Sequence, residues 1–378
     1  MAKVSLKSIS KVYPGGKKQR EGMAVSDVTL EIESREFVTL TGPAGSGKTT
    51  LLRMIAGLEE ASQGDIYIGD RKVNGLKPKE RDVAMVFPQD ALYPAMSVRE
   101  NITFGLKLRK FSSSEITRRV EDSSATLVIA DLLELRPQEL SPAQRQRVSI
   151  ARAIARQPKV LLFDDALANL DRGARAEMRA EIRKLHERLQ TTVIYSTGDA
   201  SEAIALGERL VVLSAGSVQQ NDLVRGVYDT PANLFVAGFV GAPPMNFVRG
   251  TLKLEPDSLL FCEADEGTIQ ARIPLSEHPA AREHVGKPIL LGVRPEDVEI
   301  ATAVKGQENP ALSSPAVIDF VETNGAETDF HLQTGAHTIV CRVFREAEQD
   351  WPAGRRVRFR FTLEKAHLFD PVSTRRIA

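Results

Sequence analysis

"EFVTLTGPAGSGKTTLLRMIAGL", residues 36–58, sets an apolar run, a glycine-rich turn and a helical run in direct succession. Inside it, "GPAGSGKT" at 42–49 fits G-x-x-x-x-G-K-[ST], with the strand before and the helix after that the motif requires. Glycines let successive backbone N–H groups close around phosphate oxygens. The helix N-terminus adds the positive end of its dipole. Gly42, Pro43, Ala44, Gly45, Ser46, Gly47, Lys48, Thr49 and Thr50 are therefore the expected phosphate-binding residues. Lys48 is placed to reach the β- and γ-phosphates of a nucleotide, and the Thr49 hydroxyl to ligate Mg²⁺.

A second acidic site lies downstream in "KVLLFDD", residues 159–165. A buried strand that ends in carboxylates puts charge at the sheet edge where ligands bind. Asp164 is expected to hold Mg²⁺ through water, and Asp165 to face the attacking water as the catalytic carboxylate. Further short apolar runs, "DVAMVF" and "TTVIYS", alternate with helical patterns such as 172–189. That alternation predicts a sheet with packed helices over about 1–220. The proline- and glycine-containing stretch "YDTPANLFVAGFVGAPPMNF" then reads as a domain junction. Beyond it, strand-like segments separated by turns predict a small β-barrel or sandwich.

The whole chain fits this division. Its 378 residues exceed one ordinary core. Fifty basic residues balance fifty acidic ones, which argues against nucleic acid as a partner. Cys262 and Cys341 stand far apart with no metal-ligand spacing and read as inert thiols. No apolar run approaches the roughly 18 residues of a membrane span, so any membrane connection runs through a partner.

"GPAGSGKTTLLRMIAGLE", "RDVAMVF", "ALYPAMSVRENITFGL", "QRQRVSIARAI", "LLFDDALANLD" and "PANLFVAGFVGAPPMNF" together resemble the nucleotide-binding subunit of an ABC importer. The similarity is to the carbohydrate branch, the maltose and glycerol-phosphate importer ATPases, and it covers nearly the whole chain. It implies an α/β P-loop ATPase domain at 1–238, with a helical subdomain at about 90–157. A smaller all-β, OB-like regulatory domain would occupy 239–378, its "LGVRPEDV" at 291–298 resembling the start of that addition. The implied ligands are ATP and Mg²⁺. Tyr13 matches the aromatic that stacks on adenine. Ser141 and Gln144 match signature residues that meet ATP across a dimer, and Gln89 stands near the glutamine-loop position. The implied partners are membrane-spanning permease subunits, a second ATPase subunit in a homodimer or heterodimer, and indirectly a solute-binding protein. The implied place is the cytoplasmic face of the inner membrane, held peripherally.

Four positions depart from the family pattern. The signature L-S-G-G-Q reads Leu140-Ser141-Pro142-Ala143-Gln144 here. Proline lacks an N–H and alanine's Cβ limits close backbone approach, so the phosphate contact suffers. The helix itself should survive, with Ser141 as N-cap, Pro142 in the first turn and Gln144 closing a capping box. Phe87-Pro88-Gln89 moves the loop glutamine one residue late. The usual catalytic glutamate is the shorter Asp165, and the usual switch histidine is Gly198. His186, the nearest earlier histidine, lies in a helical pattern and is expected at the surface. Binding residues are thus kept while hydrolysis residues are altered. This leaves two expectations: a transport-coupled ATPase with impaired hydrolysis, or a non-hydrolysing nucleotide-sensing subunit.

Overall fold

The computed structural model describes residues 1–14, 22–89, 91–265, 267–276, 278–301, 313–344 and 351–377. The chain divides into two compact units, 1–224 and 225–378.

The first unit opens with β1 (Val4–Tyr13), β2 (Gly22–Ile32), β3 (Phe37–Thr41), α1 (Lys48–Ala56), β4 (Gln63–Ile68), β5 (Arg71–Lys72) and β6 (Val83–Val86). Helices α2 (Val98–Leu108), α3 (Ser113–Thr126) and α4 (Pro142–Ile154) follow, within the span expected to be helical. The unit closes with β7 (Val160–Asp164), α5 (Arg172–Leu189), β8 (Thr192–Thr197), α6 (Ala200–Leu206), β9 (Arg209–Ser214) and β10 (Ser217–Leu223).

One six-stranded sheet runs in the order β10-β9-β3-β8-β7-β6 and is parallel except for β10. Strands β3, β7 and β8 are buried along their whole length. That is why they read as unbroken apolar runs rather than alternating ones. Side-chain alternation still sorts β7 between two cores. Leu161 and Phe163 join helices α2 to α5, whereas Val160 and Leu162 face α1 and the antiparallel sheet β2-β1-β4-β5. The register sets Thr41 beside Thr197 and Asp164 beside Ser196. Three strands therefore deliver their C-terminal ends to one edge, the place where open parallel sheets bind ligands.

Helix α7 (Val224–Asp229) starts on the last residue of the first unit and otherwise belongs to the second, where α8 (Leu234–Phe239) follows. Strands β11 (Asn246–Leu254), β12 (Ser258–Glu263), β13 (Gln270–Pro274), β14 (Pro288–Val293) and β15 (Val298–Ala301) come next. Then come β16 (Ser314–Asn324), β17 (Glu327–Gln333), β18 (Thr338–Phe344), β19 (Arg356–Phe361), β20 (His367–Phe369) and β21 (Arg376–Ile377). They form two antiparallel sheets, β13-β12-β11-β14-β20-β21 and β15-β19-β16-β17-β18, over one shared apolar core.

The division between the units falls earlier than the expected 238/239. Residues 225–238 are tied to the β unit by backbone. The Leu234 N–H donates to the Thr374 carbonyl at 2.9 Å, and the Arg376 N–H to Ala232 at 3.0 Å. Ala237 packs with Met245 and Phe369.

His186 also departs from expectation, being buried at 7% exposure. Its ring lies edge-on to Phe37, centroids 5.3 Å apart, and Nε2 is 2.9 Å from the Arg35 carbonyl. Both cysteines are free. Burial pushes the Cys341 thiol up to about 12, and its Sγ donates to the Val298 carbonyl. Among the described residues no helix is long and apolar enough to cross a membrane.

Candidate nucleotide site

The turn between β3 and α1 is shaped by glycines. Gly42 has φ +148°, and a Cβ there would stand 2.1 Å from the Leu213 carbonyl oxygen. Gly47 has φ +100°, and its Cβ would stand 2.5 Å from the Ala24 carbonyl oxygen. Neither position accepts a side chain, so the backbone follows a path only glycine allows. Gly47 is the residue before α1, and no side chain caps that helix. Its first N–H groups are open to an anion. Pro43, Ala44 and Gly45 are exposed along the turn, and Ser46 is buried beneath it. The Lys48 ammonium arches over the loop and donates to the carbonyls of Gly42 (2.7 Å) and Pro43 (3.0 Å). Partial burial lowers its pKa, while Asp165 and Asp164 pull the other way.

Asp164 ends β7 at 1% exposure. Its Oδ1 accepts from the hydroxyls of Thr49 (2.8 Å) and Ser196 (2.9 Å). A buried carboxylate beside a hydroxyl, at the foot of a phosphate cradle, is a hard-oxygen donor set that fits Mg²⁺. Asp165 follows in left-handed backbone, φ +46°, with its N–H donating to the Ser196 carbonyl at 2.9 Å. Burial raises the Asp165 pKa and Asp164 adds to the rise, against Lys48 and Arg175.

The loop after Asp165 joins the other altered positions. The Asn169 side-chain amide donates to the Pro88 carbonyl at 2.7 Å. Gln89, next in the chain, is exposed. Arg175, in the first turn of α5, donates to the carbonyls of Ala168 (3.3 Å) and Leu170 (3.1 Å), and lies 3.9 Å from the Asp199 carboxylate. Asp199 caps α6 by accepting from the N–H groups of Ser201 and Glu202. Between Thr197 and Asp199, Gly198 looks onto the phosphate loop. A Cβ there would meet only the Gly42 carbonyl oxygen, at 3.9 Å.

The signature helix start is as the sequence predicts. The Ser141 hydroxyl accepts from the Gln144 N–H (3.2 Å), the Gln144 side chain accepts from the Ser141 N–H (2.8 Å), and Pro142 takes the first helical position. No described contact joins Ser141 or Gln144 to the phosphate loop. Tyr13 ends β1 at 38% exposure. The structure thus gathers Lys48, Thr49, Asp164, Asp165 and Gly198 around one loop, while no described contact joins Gln89, Ser141 or Gln144 to it. Sequence reading did not single out Ser196, Asn169 or Arg175. Their roles depend on strand register and on a loop returning to the sheet edge, and only the nearness of Asn169 to "LFDD" gave a hint.

The chain matches three protein-family models: ABC transporter over residues 25–168, MalK OB fold domain over 241–298, and TOBE domain over 291–369. It is 42% identical over 380 residues to the oligosaccharides import ATP-binding protein MsmX of Bacillus subtilis (strain 168), covering 100% of both chains. It is 41% identical over 379 residues to the sn-glycerol-3-phosphate import ATP-binding protein UgpC of Cupriavidus necator, again over 100% of both. Among solved structures, it matches a dimeric post-hydrolysis ATP-binding cassette bound to ADP and Pi. That match has a TM-score of 0.53 at 32% identity, and covers 59% of this chain and 99% of the other.

Proposed function

The chain belongs to the ABC transporter ATP-binding proteins that carry MalK-type OB and TOBE domains, and from that premise we propose that it is the ATP-binding subunit of an importer for a sugar or related solute. The observation that carries this reading is its end-to-end likeness to MsmX and UgpC, both named as import ATP-binding proteins. The subunit sits on the cytoplasmic face of the inner membrane, against membrane-spanning permease partners fed by a solute-binding protein. It works as a dimer, with each ATP between one phosphate loop and the other subunit's Ser141–Gln144 helix start.

In each site the loop N–H groups from Gly42 to Thr50 and the Lys48 ammonium hold the β- and γ-phosphates. Tyr13 carries the adenine. Thr49 and Asp164 would hold Mg²⁺, which when bound would neutralise phosphate charge. Asp165 orients water, and Gln89 contributes only if its loop turns it inward. Hydrolysis is impaired because charge stabilisation and water positioning dominate phosphoryl transfer. Asp165 is one methylene short for its task, and a misplacement of about 1 Å costs on the order of a hundredfold.

The second reading is a nucleotide-sensing regulatory subunit that does not hydrolyse. Gly198 favours it, since that position faces the phosphate loop with no side chain to offer. Mg-ATP turnover of the purified chain, alone and with its permease partners, separates the two. Turnover that rises with the partners supports the transport ATPase. Robust turnover by the chain alone, abolished by Asp165→Asn, refutes the impairment.

A further inference from the structure

Lys11 and Tyr13 stand on the same face of β1, two residues apart. The Lys11 ammonium lies over the Tyr13 ring, 5.0 Å from its centroid, within the range where a cation is held by a ring's negative face. Lys11 does not wander there. It is 12% exposed, paired to Glu59 at 2.6 Å, and donates to the Glu60 carbonyl at 2.8 Å. Backbone fixes the same junction. The Ser62 N–H donates to Ser10 at 2.9 Å, and the Val12 N–H donates to the Ser62 hydroxyl at 3.1 Å.

Glu59 and Glu60 follow directly on α1, and the Glu59 N–H donates to the Arg53 carbonyl. The helix whose N-terminus carries the phosphate loop is therefore bound, through the segment just past its C-terminus, to the strand that ends in Tyr13. The other end of this connection is also fixed. Gly47 packs against Ala24 and Val25 of β2, and Val25 pairs with Lys11.

We propose that Lys11 is a positioning residue for the nucleotide base: it holds the Tyr13 ring by one face, so that the opposite face is set as a platform for adenine at a fixed distance from the phosphate loop. This deepens the reading of Tyr13 as the base-stacking residue and rests on it. Of the two effects of Lys11, restricting the ring lowers the ordering cost of binding, and the cation draws electron density from the ring face that meets the base.

A double-mutant cycle on the full chain, read by titration calorimetry with Mg-ATP, tests it. Lys11→Met should weaken ATP roughly three- to tenfold, within what one cation–π contact supports. Lys11→Arg should keep most of the parent affinity. In the Tyr13→Ala background, Lys11→Met should add less than about twofold, since the ring it acts through is gone. An equal loss in both backgrounds would show that Lys11 acts by bracing β1 and not through the ring, and would overturn the proposal. So would parent affinity in Lys11→Met while Tyr13→Ala is weakened. If Tyr13→Ala itself keeps parent affinity, the base-stacking reading fails first and this inference falls with it.

Discussion

Helices α1 and α4 belong to one unit and present the same chemical problem at their starts, four N–H groups without intrahelical partners. They answer it in opposite ways. α1 starts after Gly47 with no side-chain cap, beneath a loop of open backbone. α4 starts after Ser141 with a complete capping box and with proline in its first turn, so two of its donors, the Ser141 and Gln144 N–H groups, are satisfied from within and a third is removed at Pro142. Helices α2, α3, α5 and α6 also have side-chain caps. An uncapped start is therefore the exception among α1 to α6, and it coincides with the sequence that reads as a phosphate cradle. The contrast teaches that one of the two helix starts expected to touch ATP is still built to receive an anion, while the other is built chiefly to stay folded.

The largest test of this contrast is Lys48→Ala. If α1 is the anion-receiving terminus, ATP affinity should fall at least about a hundredfold by titration calorimetry, as expected when a charge-assisted contact is lost from a partly desolvated site. Unchanged affinity breaks the comparison at its root.

Restoring the altered set comes next. Pro88→Gln, Pro142→Gly with Ala143→Gly, Asp165→Glu and Gly198→His, made together, should raise steady-state turnover at least about tenfold, because such groups act as a unit. Any one alone should do little, and ATP affinity should change much less. Position 198 has room for the first carbon of a side chain, since an added Cβ meets only the Gly42 oxygen at ordinary contact distance. Turnover unmoved by the full set would place the defect outside these positions.

The smallest effect belongs to Ser141→Ala. Losing an N-cap costs about 1 kcal/mol, which should lower the melting temperature of the first unit by roughly 2–4 °C. ATP affinity of the lone chain should stay at the parent value. A change in that affinity would mean that α4 meets nucleotide within its own subunit, and would blur the contrast between the two helix starts.

What was legible in the sequence was what short spacing dictates. The glycine path of 42–49, the buried strand ending at Asp164, and the capping box of Ser141 and Gln144 each depend on residues within one turn or one strand. Less legible were features made by distant segments meeting. Asn169 finds the Pro88 carbonyl across 81 residues, and Ser196 finds Asp164 through β-sheet register. His186 was readable and misjudged. It sits four residues after buried Ile182, on the face that α5 turns inward. The division at Val224 and Arg225 was hidden because 225–238 owes its place to backbone pairing with residues near 374–376.

Asp165 has a consequence of its own. Its φ of +46° is a conformation that aspartate visits more readily than most side chains, because a short polar group can bond locally to its own backbone. A glutamate at that φ gives up this ease. The shorter carboxylate is thus the better tenant of its backbone. Change at this position is then directional: shortening relaxes the turn, and lengthening must work against it. Of the two positions, 198 has room for a Cβ and no left-handed backbone, whereas a longer side chain at 165 meets the constraint of its own conformation. One torsion angle thus separates the two positions, with 165 favouring a short polar side chain and 198 carrying no such preference.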